Sequence, residues 1–82
     1  MAQSFETMHN GHVLTVQGSV VDVAFPERLP AIHTILRTGR QNEVILEVQA
    51  QVAPGRVRGI ALTPTQGLAR GMTVVSTGQT IL

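Results

Sequence analysis

In the stretch EVILEVQAQV, Glu43 to Val52, apolar and polar side chains trade places at almost every residue. Val44, Leu46, Val48, Ala50 and Val52 fall on one side, and Glu43, Ile45, Glu47, Gln49 and Gln51 on the other. A period of two belongs to an extended chain, whose successive side chains point to opposite faces; a helix would scatter the same residues around its axis. The stretch therefore predicts a strand with one dry face and one wet face. Ala53-Pro54-Gly55 reads as a turn, and RVRGIAL, Arg56 to Leu62, as the returning hairpin partner. Gly59 breaks the alternation of that partner and predicts a bulge, a device that bends a small sheet towards closure.

The rest of the chain follows the same pattern. His12 to Gly18 (HVLTVQG) predicts a first strand and Ser19 to Phe25 a second, almost directly joined. Pro26 to Pro30 (PERLP) is a loop, because its two prolines remove ladder donors. Ile32 to Leu36 fits either a short strand or a single helical turn. Thr63 to Gly67 (TPTQG) is a turn, with Pro64 supplying a fixed φ and Gly67 a positive one. Met72 to Val75 and Gln79 to Leu82 complete about six strands, and helix is nearly absent. Strands of this length, with no helix to cover a face, bury their apolar side chains by curling into a small closed six-stranded β-barrel, which also removes exposed edges. The expected organisation of this all-β chain is a flexible segment over residues 1–10 and one barrel domain over 11–82.

Composition excludes several functions. With 82 residues the chain has room for one modest core and no second lobe. It has no cysteine, so disulfides, thiolate nucleophiles and Cys-based zinc sites are ruled out. Its six cations, Arg28, Arg37, Arg40, Arg56, Arg58 and Arg70, are all arginine, and without lysine there is neither Schiff-base chemistry nor a GxxxxGK(S/T) phosphate loop. Net charge is +1, and Phe5 and Phe25 are the only aromatics, a poor basis for stacking single-stranded nucleic acid. The N-terminal residues lack the pattern of a signal peptide, and no run approaches the roughly 18 apolar residues of a membrane span, so a soluble chain is expected.

The residues that could carry chemistry are few. In GSVVDVAF, Gly18 to Phe25, a single carboxylate sits among valines. Placing Val21, Val23 and Phe25 inside puts Val20, Asp22 and Ala24 outside, where Asp22 stays solvated or meets a partner and escapes the cost of an unpaired buried charge. A catalytic acid would need a second carboxylate or a histidine in support, and none is placed to give it. His9 and His12 flank Asn10-Gly11 with no third ligand nearby, and His33 beside the PERLP loop is no stronger, so all three read as solvated histidines and no metal site is expected. Ser4, Ser19 and Ser76 occur in none of the nucleophile motifs. Arg56 and Arg58 share one face of their strand and read as a solvated or acid-facing pair. No catalytic residue and no cofactor-binding residue is identified.

Three blocks in fixed order carry a resemblance: Gly11 to Phe25 (GHVLTVQGSVVDVAF), Leu29 to Leu36 (LPAIHTIL) and Val57 to Leu82 (VRGIALTPTQGLARGMTVVSTGQTIL). Together they resemble the N-terminal domain of the ATP synthase beta subunit, and favour it over the alpha subunit and the archaeal or vacuolar relatives. The resemblance implies a six-stranded barrel forming part of a crown, in which beta barrels alternate with alpha-subunit barrels at the end of a hexamer furthest from the membrane. It implies a structural part in a rotary, ion-translocating ATP synthase or ATPase, cytoplasmic and peripheral to the membrane, with no nucleic-acid partner and no direct membrane insertion. The family's Mg-ATP/ADP site lies in a following nucleotide-binding domain, so this chain is expected to be a truncated, non-enzymatic piece of a catalytic subunit. Thr63-Pro64-Thr65-Gln66 replaces the family's acidic turn and is more similar to the divergent, sodium-linked branch. On this resemblance the outward set Val20, Asp22 and Ala24, with Arg56 and Arg58 as charge partners, is expected at the contact with a neighbouring barrel, and Asp22→Ala is expected to leave the isolated fold nearly unchanged. The competing reading is a free-standing barrel that binds an oligonucleotide or small ligand.

Overall fold

The computed structural model describes residues 10–80, and every regular element in it is a strand. β1 (Asn10–Gln17), β2 (Val20–Ala24), β3 (Thr34–Thr38), β4 (Val44–Ala53), β5 (Arg56–Ala61) and β6 (Thr73–Thr80) close into a barrel in the order β1-β2-β5-β4-β3-β6. All six neighbouring pairs are antiparallel. Closure leaves no edge strand, which is how so short an all-β chain satisfies its backbone donors and acceptors.

Local chemistry explains the hairpins. β1 turns into β2 over two residues, with Gly18 at φ 61 in the first central position, where a side chain would be strained. β4 turns into β5 through Pro54-Gly55, the proline holding its φ and Gly55 adopting φ 73, the pattern of a type II turn. Such a turn splays its strands, and the ladder shifts register beside it, between Gln51 and Ala53.

The interior is one cluster: Val13, Val21, Val23, Phe25, Leu36, Val44, Leu46, Val48, Val57 and Val74, none more than 1% exposed. All six core positions expected from β2 and β4, namely Val21, Val23, Phe25, Val44, Leu46 and Val48, are in it. Phe25 lies just past β2, anchored by its N–H to the Gly55 carbonyl at 2.9 Å. Leu68 and Met72, in the connection between β5 and β6, pack against the cluster. Buried Thr38 donates its hydroxyl to the Thr73 carbonyl at 2.8 Å, so its place in an apolar wall leaves no polar atom without a partner.

The structure departs from the sequence pattern where the ladder bulges. Gln49 is an extra residue in β4 between the pairs Val48↔Gly59 and Ala50↔Arg58. It reverses the alternation, so Ala50 shares the outer face with Arg58, and Val52 is 38% exposed. The expected dry face thus ends at Val48. The bulge assigned to Gly59 belongs to the strand opposite it, while Gly59 itself is buried beside Glu47 and Leu46. Ile32 to Leu36 divides: a turn closed by Thr34 N–H to the Ala31 carbonyl at 3.1 Å, with His33 at φ 75, leads into strand β3. The two strands expected over Met72–Val75 and Gln79–Leu82 are one, β6, which carries Gly78 at φ 74 within a register shift against β3. Asn10, assigned to the flexible segment, opens β1. The expectations for residues 1–9, and for Ile81 and Leu82, lie outside the described residues.

Candidate functional site

β2 and β5 are not neighbours in sequence, yet they lie side by side with Val20↔Ile60, Asp22↔Arg58 and Ala24↔Arg56 in register. Partners across a ladder project from the same face, so this pairing alone gathers Val20, Asp22, Ala24, Arg56 and Arg58 on one outer wall. Arg58 holds Asp22 with a fork, its Nε–H donating to Oδ1 at 2.9 Å and its Nη2–H to Oδ2 at 3.1 Å. Arg56 Nη2 lies 3.0 Å from the same Oδ2. The two guanidiniums cover the carboxylate so fully that Asp22 is 3% exposed, although it points away from the core. Of the two expected outcomes for Asp22, solvated or meeting a partner, the structure shows the second, and both counter-charges come from β5 of the same chain. The hydrogen bonds from Arg58 hold its carboxyl below the usual carboxylate range, against the opposing effect of burial, and Arg56 adds to the lowering.

A cleft of about 350 Å³ opens on this wall, lined by Thr15, Gln17, Val20, Asp22, Arg56 and Arg58. β1 contributes Thr15 and Gln17, and Thr15 lies directly opposite Asp22 in register. Further round the wall Ile60 registers with both Val20 and Glu47, and Glu47 with Ile35. Leu62, 46% exposed, donates its N–H to the Ile45 carbonyl. Outside the barrel a set of apolar side chains, Val20, Ile60, Ile45, Ile35 and Leu62, therefore extends from the charged cluster across four strands. The sequence showed these residues singly, and only their register makes them a surface.

The other candidates stay apart from the Asp22–Arg56–Arg58 cluster. His33 Nδ1 lies 2.9 Å from Glu47 Oε2, a pair that sequence reasoning missed because the two approach only through the turn before β3. His12 is exposed on β1, and His9 lies outside the described residues. Among the described residues no group of three His, Asp or Glu side chains gathers as a metal site. Ser76 is buried on β6, while Ser19 sits in the β1–β2 turn. Phe25, the one Phe, Tyr or Trp among the described residues, is in the core, so the described surface offers a base no Phe, Tyr or Trp ring to stack on. Nor do these residues fit a nucleotide triphosphate: the chain has no lysine, and no glycine-rich loop among the described residues leads into a helix whose N-terminus could cradle phosphate. No helix here is long and apolar enough to cross a membrane.

Comparison with known proteins agrees with this architecture. Residues 13–78 match the family described as "ATP synthase alpha/beta family, beta-barrel domain". The chain is 51% identical over 74 residues to "ATP synthase subunit beta 2" of Shewanella frigidimarina, covering 90% of this chain and 16% of that protein. It is 54% identical over 78 residues to "ATP synthase subunit beta 2" of Albidiferax ferrireducens, covering 95% and 15%, and 59% identical over 70 residues to the protein of that name in Polaromonas naphthalenivorans, covering 85% and 15%. The chain thus spans about 15% of the length of these relatives. A closed barrel of six antiparallel strands, a match over nearly all of it, and relatives that share about half its residues lead to one conclusion: the chain belongs to the ATP synthase alpha/beta family, as its β-barrel domain, with its similarity on the beta-subunit side.

Proposed function

We propose that this barrel is an assembly domain: the N-terminal crown piece of an ATP synthase beta subunit, which packs between alpha-subunit barrels in an alternating hexameric ring. In that role it performs no chemistry. Mg-ATP or ADP binds in a separate nucleotide-binding domain of the whole subunit, and the assembled machine, cytoplasmic and peripheral to the membrane, couples ATP synthesis or hydrolysis to ion transport. The turn Thr63-Pro64-Thr65-Gln66 supports placing it on the divergent, sodium-linked branch.

The outer wall is the observation that carries this reading. Val20, Ile60, Ile45, Ile35 and Leu62 all face outward on or just past neighbouring strands, half-exposed or exposed, with Glu47 between Ile60 and Ile35 and a charge cluster beside Val20. Such a surface suits lateral packing against another barrel. One contact of this kind buries too little area to hold alone and becomes effective when repeated around a ring. The competing oligonucleotide-binding barrel would need stacking aromatics and a cationic groove, and the described surface offers no Phe, Tyr or Trp.

The test is co-expression of the whole subunit with its alpha partner, with and without Ile60→Asp, followed by mass photometry. A hexamer that forms with the parent and falls apart with the variant is the expected outcome. Equal hexamer yield from both would remove this wall from the contact.

A further inference from the structure

We propose that Arg56 is a socket for a carboxylate carried by the neighbouring barrel, distinct from the Asp22–Arg58 pair that belongs to the fold. This rests on the assembly reading above and names the chemistry of the partner at that contact.

The two arginines are not equivalent. Arg58 faces Asp22 in register and uses two parallel N–H groups, one for each carboxylate oxygen. That fork alone matches the geometry and charge of Asp22. Arg56, registered with Ala24 one pair further along, reaches only Oδ2, which Arg58 already occupies. Its Nε–H is buried without an acceptor and closed to an outside group, but its side chain as a whole is 40% exposed, which leaves the rest of the guanidinium within reach of one. A guanidinium has five donors, and this one is partly stripped of water with one acid contact, shared with another cation. Arg56 and Arg58 also stand two residues apart on one face, where like charges repel. Of the two partners of Asp22, Arg56 is therefore the weaker held.

The surroundings define what would use it. Two guanidiniums and one carboxylate leave the cleft with one excess positive charge, and its remaining lining, Thr15, Gln17 and Val20, adds hydrogen-bonding and apolar groups but no acid. A single carboxylate balances that excess and can take two donors from a planar guanidinium. A doubly charged phosphate suits the cleft less well, because the Asp22 carboxylate is part of the same lining. The apolar wall beginning at Val20 and Ile60 continues from the cleft, so an acid arriving on a protein surface would be shielded from water as its neighbours pack. A glutamate or aspartate side chain of the adjoining barrel is therefore the occupant that charge and surface together select.

The experiment measures assembly of the whole subunit with its alpha partner across a series of salt concentrations, for the parent, Arg56→Gln, Arg56→Lys and Ile60→Asp. The 82-residue chain carrying each change is checked in parallel by circular dichroism and thermal unfolding. Arg56→Gln is expected to weaken assembly about tenfold or more and to flatten its salt dependence, with Arg56→Lys between it and the parent, while the unfolding midpoint of the chain stays close to the parent's. If Ile60→Asp disrupts assembly and Arg56→Gln does not, the wall is a contact and the socket is wrong. If neither changes assembly, the contact reading fails and the socket with it. Titration of the chain with sodium acetate and with inorganic phosphate, followed at the Arg56 guanidinium resonances, separates the sources: saturation by phosphate at micromolar concentration would overturn the protein carboxylate in favour of a free-anion site.

Discussion

Asp22 and Arg58 lie 36 residues apart in sequence and directly opposite each other across β2 and β5, joined by two parallel hydrogen bonds of 2.9 and 3.1 Å. The pair sits outside the hydrophobic core and is nevertheless almost closed to water at its carboxylate end. It ties together two strands that no hairpin connects.

Removing the carboxylate should therefore weaken the isolated barrel, the reverse of what the sequence alone led one to expect. Asp22→Ala leaves two guanidiniums facing each other without a counter-charge. Because both are half in water, the cost is set at about 1–2 kcal/mol, below that of a fully buried pair. Urea denaturation of the chain measures it, and a midpoint equal to the parent's would show that the pair contributes nothing to the fold. Arg58→Gln should destabilise more than Arg56→Gln, since it breaks the fork.

The same pair sets a pH dependence. The folded pKa of Asp22 lies below its unfolded value, so between the two the unfolded chain binds more protons and stability rises with pH. The contribution is complete above the ordinary aspartate pKa of about 4 and disappears as pH falls through the lower, folded value. Thermal unfolding at stepped pH should show the parent losing its advantage over Asp22→Asn across that window, as pH falls below about 4, and not above it. A gap between the two that is constant down to about pH 2 would contradict the assignment.

In the core, Leu46 is 0% exposed near the start of β4, and Leu46→Ala should cost about 2–5 kcal/mol from lost burial and the cavity left behind. Val52→Ala, six residues along the same strand, past the bulge at Gln49 and itself the extra residue of the next, should fall within about 0.5 kcal/mol of the parent. Equal effects at the two positions would mean that the alternation continues through Gln49.

Gly11 is a space constraint that its setting in HNGH gives no hint of. A Cβ there would collide with the Ala24 carbonyl oxygen and come within 3.0 Å of Cδ1 of Phe25. Gly11→Ala should destabilise by about 1–3 kcal/mol through overpacking. Gly67→Ala, where a Cβ meets nothing within 4 Å, isolates the separate cost of a positive φ. Unfolding midpoints of the two variants are the comparison, and an unshifted Gly11→Ala would mean that β1 can move away from β2.

Calorimetric titration of the chain with Mg-ATP should give no heat of binding, since no lysine and no phosphate cradle among the described residues could receive the nucleotide. Micromolar affinity would contradict the purely structural role proposed for the domain.

Local chemistry was enough to read β1, β2, β4 and β5, the turns at Pro54-Gly55 and Thr63–Gly67, and the inward placing of Val21, Val23, Phe25, Val44, Leu46 and Val48, but not the bounds of β3 or the continuity of β6. Alternation, proline's fixed φ and glycine's freedom act within a few residues and need no partner strand. Closure into a barrel also followed, because six short strands without a helix have few other ways to bury one face. The pairing of β2 with β5, and hence the burial of Asp22 beneath Arg56 and Arg58, was not legible in that way. Register between strands 36 residues apart is settled by packing of the whole cylinder, and each extra residue, Gln49 and Val52 in β4 or Leu14 in β1, reverses the face of everything beyond it. A bulge is stabilised by the opposing strand as much as by its own sequence. Which outward residues meet, and whether an outward carboxylate is wet or dry, was therefore decided only when the barrel closed.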